Sequence, residues 1–134
     1  MQRLLPNFAT YDSEGNLYLS NSSTRTVKQV REEFTNPQPL GSLLRLRKNG
    51  KGDLVASGLY LANGTAIDPK EEAVYVLETT RHDCLRIAIR KDGGFGKPEI
   101  YAGGFPAIPD GMAFGGDGAL YITLPGRIRT RDDP

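Results

Sequence analysis

The chain has 134 residues, with 17 Lys and Arg against 16 Asp and Glu and a formal net charge of +1, so its charge gives no reason to expect nucleic acid or an anionic membrane as a partner. Its one cysteine, Cys84, excludes an internal disulfide and a cysteine-based zinc site. Hydrophobic residues make up 38%, alongside 16 Gly and 9 Pro, which points to one domain of short segments joined by many turns.

The first strand is expected at 8–11, directly after Asn7, and the second at 16–20 (NLYLS), with DSEG turning between them. Residues 21–40 form a long connection. Within it TVKQVREEF (26–34) places Val27, Val30 and Phe34 at helical spacing, enough for one or two turns. The third segment, LLRLRKNG (43–50), meets the fourth, DLVASG (53–58), through a hairpin signal at Asn49-Gly50. The order then repeats. Residues 64–67 and AVYVL (73–77) are joined by DPKEE, and LRIAIRKDG (85–93) and PEIYAGG (98–104) are joined through Asp92-Gly93. It starts a third time with 111–114, GGDG, ALYIT (119–123) and RIRTRDD (127–133). In the third segments apolar and basic residues alternate, so Arg45, Arg47, Arg86, Arg90, Arg129 and Arg131 read as the wet face of strands buried on the other side.

The repeat has a fixed phase. Asn7, Asn63 and Asp110 precede the first strands, and Tyr18, Tyr75 and Tyr121 follow them by 11, 12 and 11 residues. Asp12 and Asp68 lie five residues after the first two. Units of about 50 residues with four antiparallel strands predict an all-β fold, a β-propeller, with blades at about 7–62, 63–109 and 110–134 of one partial domain spanning 1–134. Two full blades and most of a third leave strand edges and apolar blade faces open. The chain is therefore expected to be a piece of a longer propeller, or to self-associate and close a ring. The N-terminal stretch MQRLLPNFATYDSEG lacks the apolar core of a signal peptide and no run approaches a membrane span, which favours the cytoplasm and no membrane partner.

Links into first strands lie near the axis of a propeller, so Asn7, Asn63 and Asp110 are expected to converge there. Amide and carboxylate oxygens suit one hard divalent cation, Ca²⁺ foremost, with Zn²⁺, Mg²⁺ or Mn²⁺ as alternatives. The plain alternative is that Asn63-Gly64 and Asp110-Gly111 are turn dipeptides and no more. Arg81 and His82 sit on a link expected at the pocket mouth, within reach of a small-molecule substrate. Cys84 reads as a packing residue. Ser20, Ser22 and Ser23 have no histidine partner in prospect, which argues against a serine hydrolase.

LANGTAIDPKEEAVYVLETT followed by IPDGMAFGGDGALYIT resembles the senescence marker protein/gluconolactonase/regucalcin-like family, over a stretch from about Asn7 to Arg131. The resemblance implies a six-bladed propeller with one divalent metal on its axis, and a lactone as substrate. Asn63 matches the family's asparagine ligand. Asp110 matches its aspartate ligand, also taken as the general base, and Asn7 matches an asparagine that helps hold substrate or water. The family's glutamate ligand belongs to a blade outside this sequence, and Leu5 stands where many members carry arginine. YVLETTRHDCLRI also resembles the strictosidine synthase-like branch, and His82 invites comparison with the proton shuttle of paraoxonase-like propellers. In the lactonase chemistry so implied, a neutral amide ligand leaves more charge on the ion than a carboxylate would, making it a stronger Lewis acid. A non-catalytic propeller scaffold is the rival reading.

Overall fold

The computed structural model describes residues 4–126. Ten strands are present: β1 (Pro6–Tyr11), β2 (Leu17–Asn21), β3 (Gly41–Leu46), β4 (Gly52–Leu59), β5 (Ala62–Ile67), β6 (Ala73–Glu78), β7 (Asp83–Ala88), β8 (Glu99–Gly103), β9 (Met112–Phe114) and β10 (Leu120–Ile122). They form two four-stranded antiparallel sheets in simple meander order, β1-β2-β3-β4 and β5-β6-β7-β8, and a β9-β10 hairpin. The molecule is a partial propeller of two whole blades and the opening strands of another. The segment at 127–133, with Arg129 and Arg131, lies outside the described residues.

Packing follows from strand alternation. In β6, Val74 and Val76 face the first sheet, where they meet Tyr18, Leu43, Val55 and Leu59. The alternate residues Ala73, Tyr75 and Leu77 face the other way, against Met112, Phe114 and Ile122. Every residue of β6 is buried, because this strand lies in a blade covered on both sides. Each fully buried Val, Leu or Ile contributes about 1.5–3 kcal/mol relative to exposure, so the β6 stripe is a principal source of cohesion between blades. The hairpin turn before β8 uses Gly93 at φ +81°, a region open to glycine and strained for other residues.

The long β2–β3 connection carries a single 3₁₀ helix, Val30–Phe34, where helical spacing had suggested a turn or two. Its one buried residue is acidic. Glu33 accepts from Arg25 Nε at 2.8 Å, Ser23 Oγ at 3.2 Å and the Gln38 amide at 2.8 Å. An ion pair and two neutral hydrogen bonds thus pin this connection to the blade.

The wet-face reading of the third strands needs correction at Arg45. Arg45 is only 6% exposed and lies on the same face of β3 as Leu43, between the two blades. Its guanidinium covers the Phe95 ring at 4.5 Å, donates to the Gly93 carbonyl at 2.8 Å and pairs with Asp53 at 2.9 Å. The outward positions of this blade are leucines: Leu46 is 42% and Leu54 60% exposed. Such an apolar face is what one propeller blade presents to the next.

Arg45→Ala should cost about 2–4 kcal/mol, since the Gly93 carbonyl and part of Asp53 lose a buried donor. Arg47→Ala removes only the exposed partner of Asp53 and should cost less than about 1 kcal/mol. Urea unfolding of the two variants is the check, and equal midpoints would contradict the burial argument.

Candidate functional site

The starts of β1, β5 and the β9 hairpin meet at one end of the sheets. Asn63 leaves β5 buried, and its Nδ2 donates to Asp110 Oδ1 at 2.9 Å and to Thr79 Oγ1 at 3.2 Å. Thr79 Oγ1 in turn donates to the Pro109 carbonyl at 2.9 Å. The same device operates one blade earlier. Asn7 Nδ2 donates to Ser22 Oγ at 2.9 Å, and Ser22 Oγ donates to the Ala62 carbonyl at 2.8 Å. In each case a hydroxyl at the end of a blade's second strand bonds that blade's own asparagine and the carbonyl just before the next blade's axial residue. The third blade varies the pattern: Thr123 Oγ1 accepts from the Gly111 amide at 2.8 Å.

Gly64 makes the close approach feasible. Its amide donates to the Asp110 carbonyl at 2.8 Å, and a Cβ built there would stand 2.7 Å from that oxygen. Any larger residue would push the β9 hairpin away from β5 and Asp110 away from Asn63.

Asn7, Ser22, Asn63, Thr79 and Asp110 line a common cavity of roughly 450 Å³. Arg81 and His82 are not among its lining residues. The Arg81 guanidinium stacks on Tyr60 at 4.8 Å and lies 3.9 Å from Asp83. His82, at φ +57°, sets Nδ1 3.0 Å from the Phe105 carbonyl. Ser22 and Thr79 are the site residues that sequence reasoning passed over. Their signal was present, since a hydroxyl follows each axial asparagine by 15 or 16 residues.

The donor set accommodates a hard cation in part. The bonds described engage the amide nitrogen of Asn63 and one oxygen of Asp110, leaving the Asn63 amide oxygen and the second Asp110 oxygen to serve as ligands. Among the described residues no group of three or more His, Cys, Asp or Glu is assembled, so these two oxygens would form only part of the shell such an ion requires.

Two buried groups outside the cavity lining titrate unusually. Burial raises Glu78 to about 7, and hydrogen bonding to the Asp83 carboxylate adds to the rise, although the Tyr60 amide, donating to Glu78 at 2.8 Å, opposes it. Cys84, fully buried, is pushed up to about 12 by desolvation, as suits a packing thiol.

Residues 1–132 match the SMP-30/Gluconolactonase/LRE-like region. A strictosidine synthase-like protein of Arabidopsis thaliana (Protein STRICTOSIDINE SYNTHASE-LIKE 7) is 27% identical over 128 residues, covering 94% of this chain and 33% of that protein. A gluconolactonase of Zymomonas mobilis is 25% identical over 134 residues, covering 92% of this chain and 37% of that protein. Among solved structures, a gluconolactonase of Xanthomonas campestris superposes with a TM-score of 0.72 at 23% identity, over 92% of this chain and 42% of that one. The chain thus spans about a third of the length of the curated relatives it matches.

Two outcomes follow from the geometry. Thr79→Val keeps the shape but strands the Pro109 carbonyl and removes one partner of Asn63, and should cost about 1–3 kcal/mol in thermal unfolding; an unchanged transition would deny the hydroxyl its bridging role. The Glu78 shift works in a definite direction. The folded state holds a proton that the unfolded chain releases near the ordinary value of 4.5, so this contribution to stability is full below 4.5 and is lost as pH rises to about 7. Glu78→Gln should flatten that decline, which unfolding midpoints measured from pH about 4.5 to 8 will show.

Proposed function

The chain belongs to the SMP-30/gluconolactonase/LRE-like family, and from that membership and the Asn63–Asp110 contact we propose that it forms the metal-side wall of a divalent-metal-dependent hydrolase of lactones or related cyclic esters. The observation that carries the reading is the 2.9 Å bond between the Asn63 amide and the Asp110 carboxylate, which sets two oxygen-bearing side chains from neighbouring blades on one cavity. The 25% identity to a curated gluconolactonase over 92% of this chain supports it.

Asn63 and Asp110 would hold the cation, Ca²⁺ in the first instance and Zn²⁺, Mg²⁺ or Mn²⁺ as alternatives. When bound, the ion would polarise the lactone carbonyl and offset charge on the developing oxyanion. Asp110 serves as the base. It is exposed to the cavity, so water reaches it, and its carboxylate takes the proton of the attacking water. As the acyl–oxygen bond of the ring breaks, that proton passes to the departing ring oxygen and a hydroxy acid is released. Asn63 keeps Asp110 oriented, with Thr79 and Gly64 behind it. Asn7, fixed by Ser22, would hold substrate or water. Arg81 and His82, expected from sequence as substrate contacts, do not line this cavity.

A second reading has a specific basis, the 27% identity to the strictosidine synthase-like protein over 94% of the chain. That chemistry need not depend on metal.

Asp110→Asn should lower lactone hydrolysis by about 10²–10⁴-fold, the usual contribution of a positioned base. Asn63→Ala should weaken Ca²⁺ binding in calorimetry while leaving the fold intact. Activity that survives a chelator in the native protein would favour the strictosidine synthase-like reading over the lactonase.

A further inference from the structure

The polar groups of the cavity are largely committed to one another. The Ser22 and Thr79 hydroxyls each accept from an asparagine amide and donate to a backbone carbonyl. Asn63 Nδ2 spends both its hydrogens, on Thr79 and Asp110, while Asn7 Nδ2 spends one of its two on Ser22. Asp110 is the one ionisable side chain among the described residues of the lining. The other described lining residues are mainly apolar: Leu5, Val30, Phe34, Leu61, Ile108 and Pro125 border the polar floor. Val30 and Phe34 come from the 3₁₀ helix of the β2–β3 connection, which the buried Glu33 anchors through Arg25, Ser23 and the Gln38 amide.

A ligand rich in hydroxyls would have to give up water for these apolar groups and would find few free partners, at a cost for each hydroxyl left unpaired. An alkyl or aryl group would instead gain from burial along the same wall. Deepening the lactonase reading and resting on it, we propose that the substrate is a lactone carrying an apolar chain or ring, with its ester at the Asn63–Asp110 end and its substituent along Val30, Phe34 and Ile108.

The test uses the 134-residue chain in the presence of Ca²⁺. Its probes are γ-butyrolactone, the homologues bearing propyl, pentyl and heptyl chains on the ring, glucono-δ-lactone, and the matching alkyl lactams as ligands that resist hydrolysis. Dissociation constants are read by titration calorimetry. Affinity should rise by up to about fourfold for each methylene that becomes fully buried, in lactones and lactams alike. Gluconolactone should bind no better than the unsubstituted ring. Phe34→Ser, a change at a 43% exposed position of the 3₁₀ helix, should weaken the heptyl homologue about tenfold more than the parent ring, as expected from losing a partly buried aromatic contact. An affinity flat with chain length, tighter binding of gluconolactone, or no binding by any probe overturns the proposal. The lactams keep it separate from the reading it rests on. If alkyl lactams bind with the expected gradient but no lactone is hydrolysed, the apolar site stands and the lactonase does not. If gluconolactone is hydrolysed while the alkyl series stays flat, the lactonase stands and the apolar site does not.

Discussion

The arrangement depends on one hydrogen-bonding device used twice. A hydroxyl at the end of a second strand, Ser22 or Thr79, joins its own blade's asparagine to the carbonyl that precedes the axial residue of the next blade. That carbonyl belongs to Ala62 in one case and Pro109 in the other. Because the carbonyl and the axial side chain are adjacent in sequence, holding the first places the second. Blade spacing and donor spacing are therefore one constraint. A hydroxyl suits the position because it can donate and accept at once, and in a buried setting neither partner can be surrendered without leaving a polar group unpaired. Gly64 supplies the steric half, since without a Cβ the backbone of β5 can receive the Asp110 carbonyl directly.

Away from the axis the blades are locked by different means. Arg45 spans the gap from β3 to the turn of the second blade, reaching the Gly93 carbonyl and covering Phe95. Tyr18, paired with Arg45 across β2 and β3, meets the same ring edge-on. A guanidinium serves here because its planar face packs on the aromatic ring while its edge donates to oxygen, so a charged group fills a mostly apolar gap with its hydrogen bonds met. Arg86 stands opposite Tyr75 in the corresponding register of the second blade. Tyr75 packs edge-on with Phe114 and Tyr101.

The strands were legible in the sequence because alternation and turn chemistry point to the same boundaries: NLYLS, AVYVL and ALYIT fall on β2, β6 and β10 to within about a residue, the usual fraying of such boundaries. The phase of Asn7, Asn63 and Asp110 was legible because a repeat returns its axial residue to one place. The face of β3 was not. A strand that alternates leucine and arginine fits either face inward, and the choice falls to the neighbouring blade, whose Phe95 and Gly93 carbonyl favour the guanidinium. The placing of Arg81 and His82 off the cavity lining was illegible for another reason. They lie in a tight link where a left-handed residue turns the chain, and side-chain direction there follows no period. Ser22 and Thr79 were overlooked because a hydroxyl was weighed only as a nucleophile, when its value here is as a bridge.

The β2–β3 connection reverses the usual logic of an amphipathic segment. A short helix on a surface normally turns its apolar residues inward. This one buries Glu33, the acidic residue, and leaves Val30 and Phe34 at the cavity. Arg25, Ser23 and the Gln38 amide satisfy the carboxylate, so the segment is held without using its apolar side chains. A buried ion pair of this kind gives little net stability but a defined position, because any displacement would strand a charge. Those apolar side chains are thereby left free to line the cavity that Asp110 also lines. Beside apolar groups the effective dielectric is lower than in bulk water, so a charge at the Asn63 end of the cavity interacts more strongly with its neighbours than it would in open solvent. The anchor at Glu33 and the bridge at Thr79 thus bear on one cavity, the first holding the helix that supplies Val30 and Phe34 and the second its polar floor.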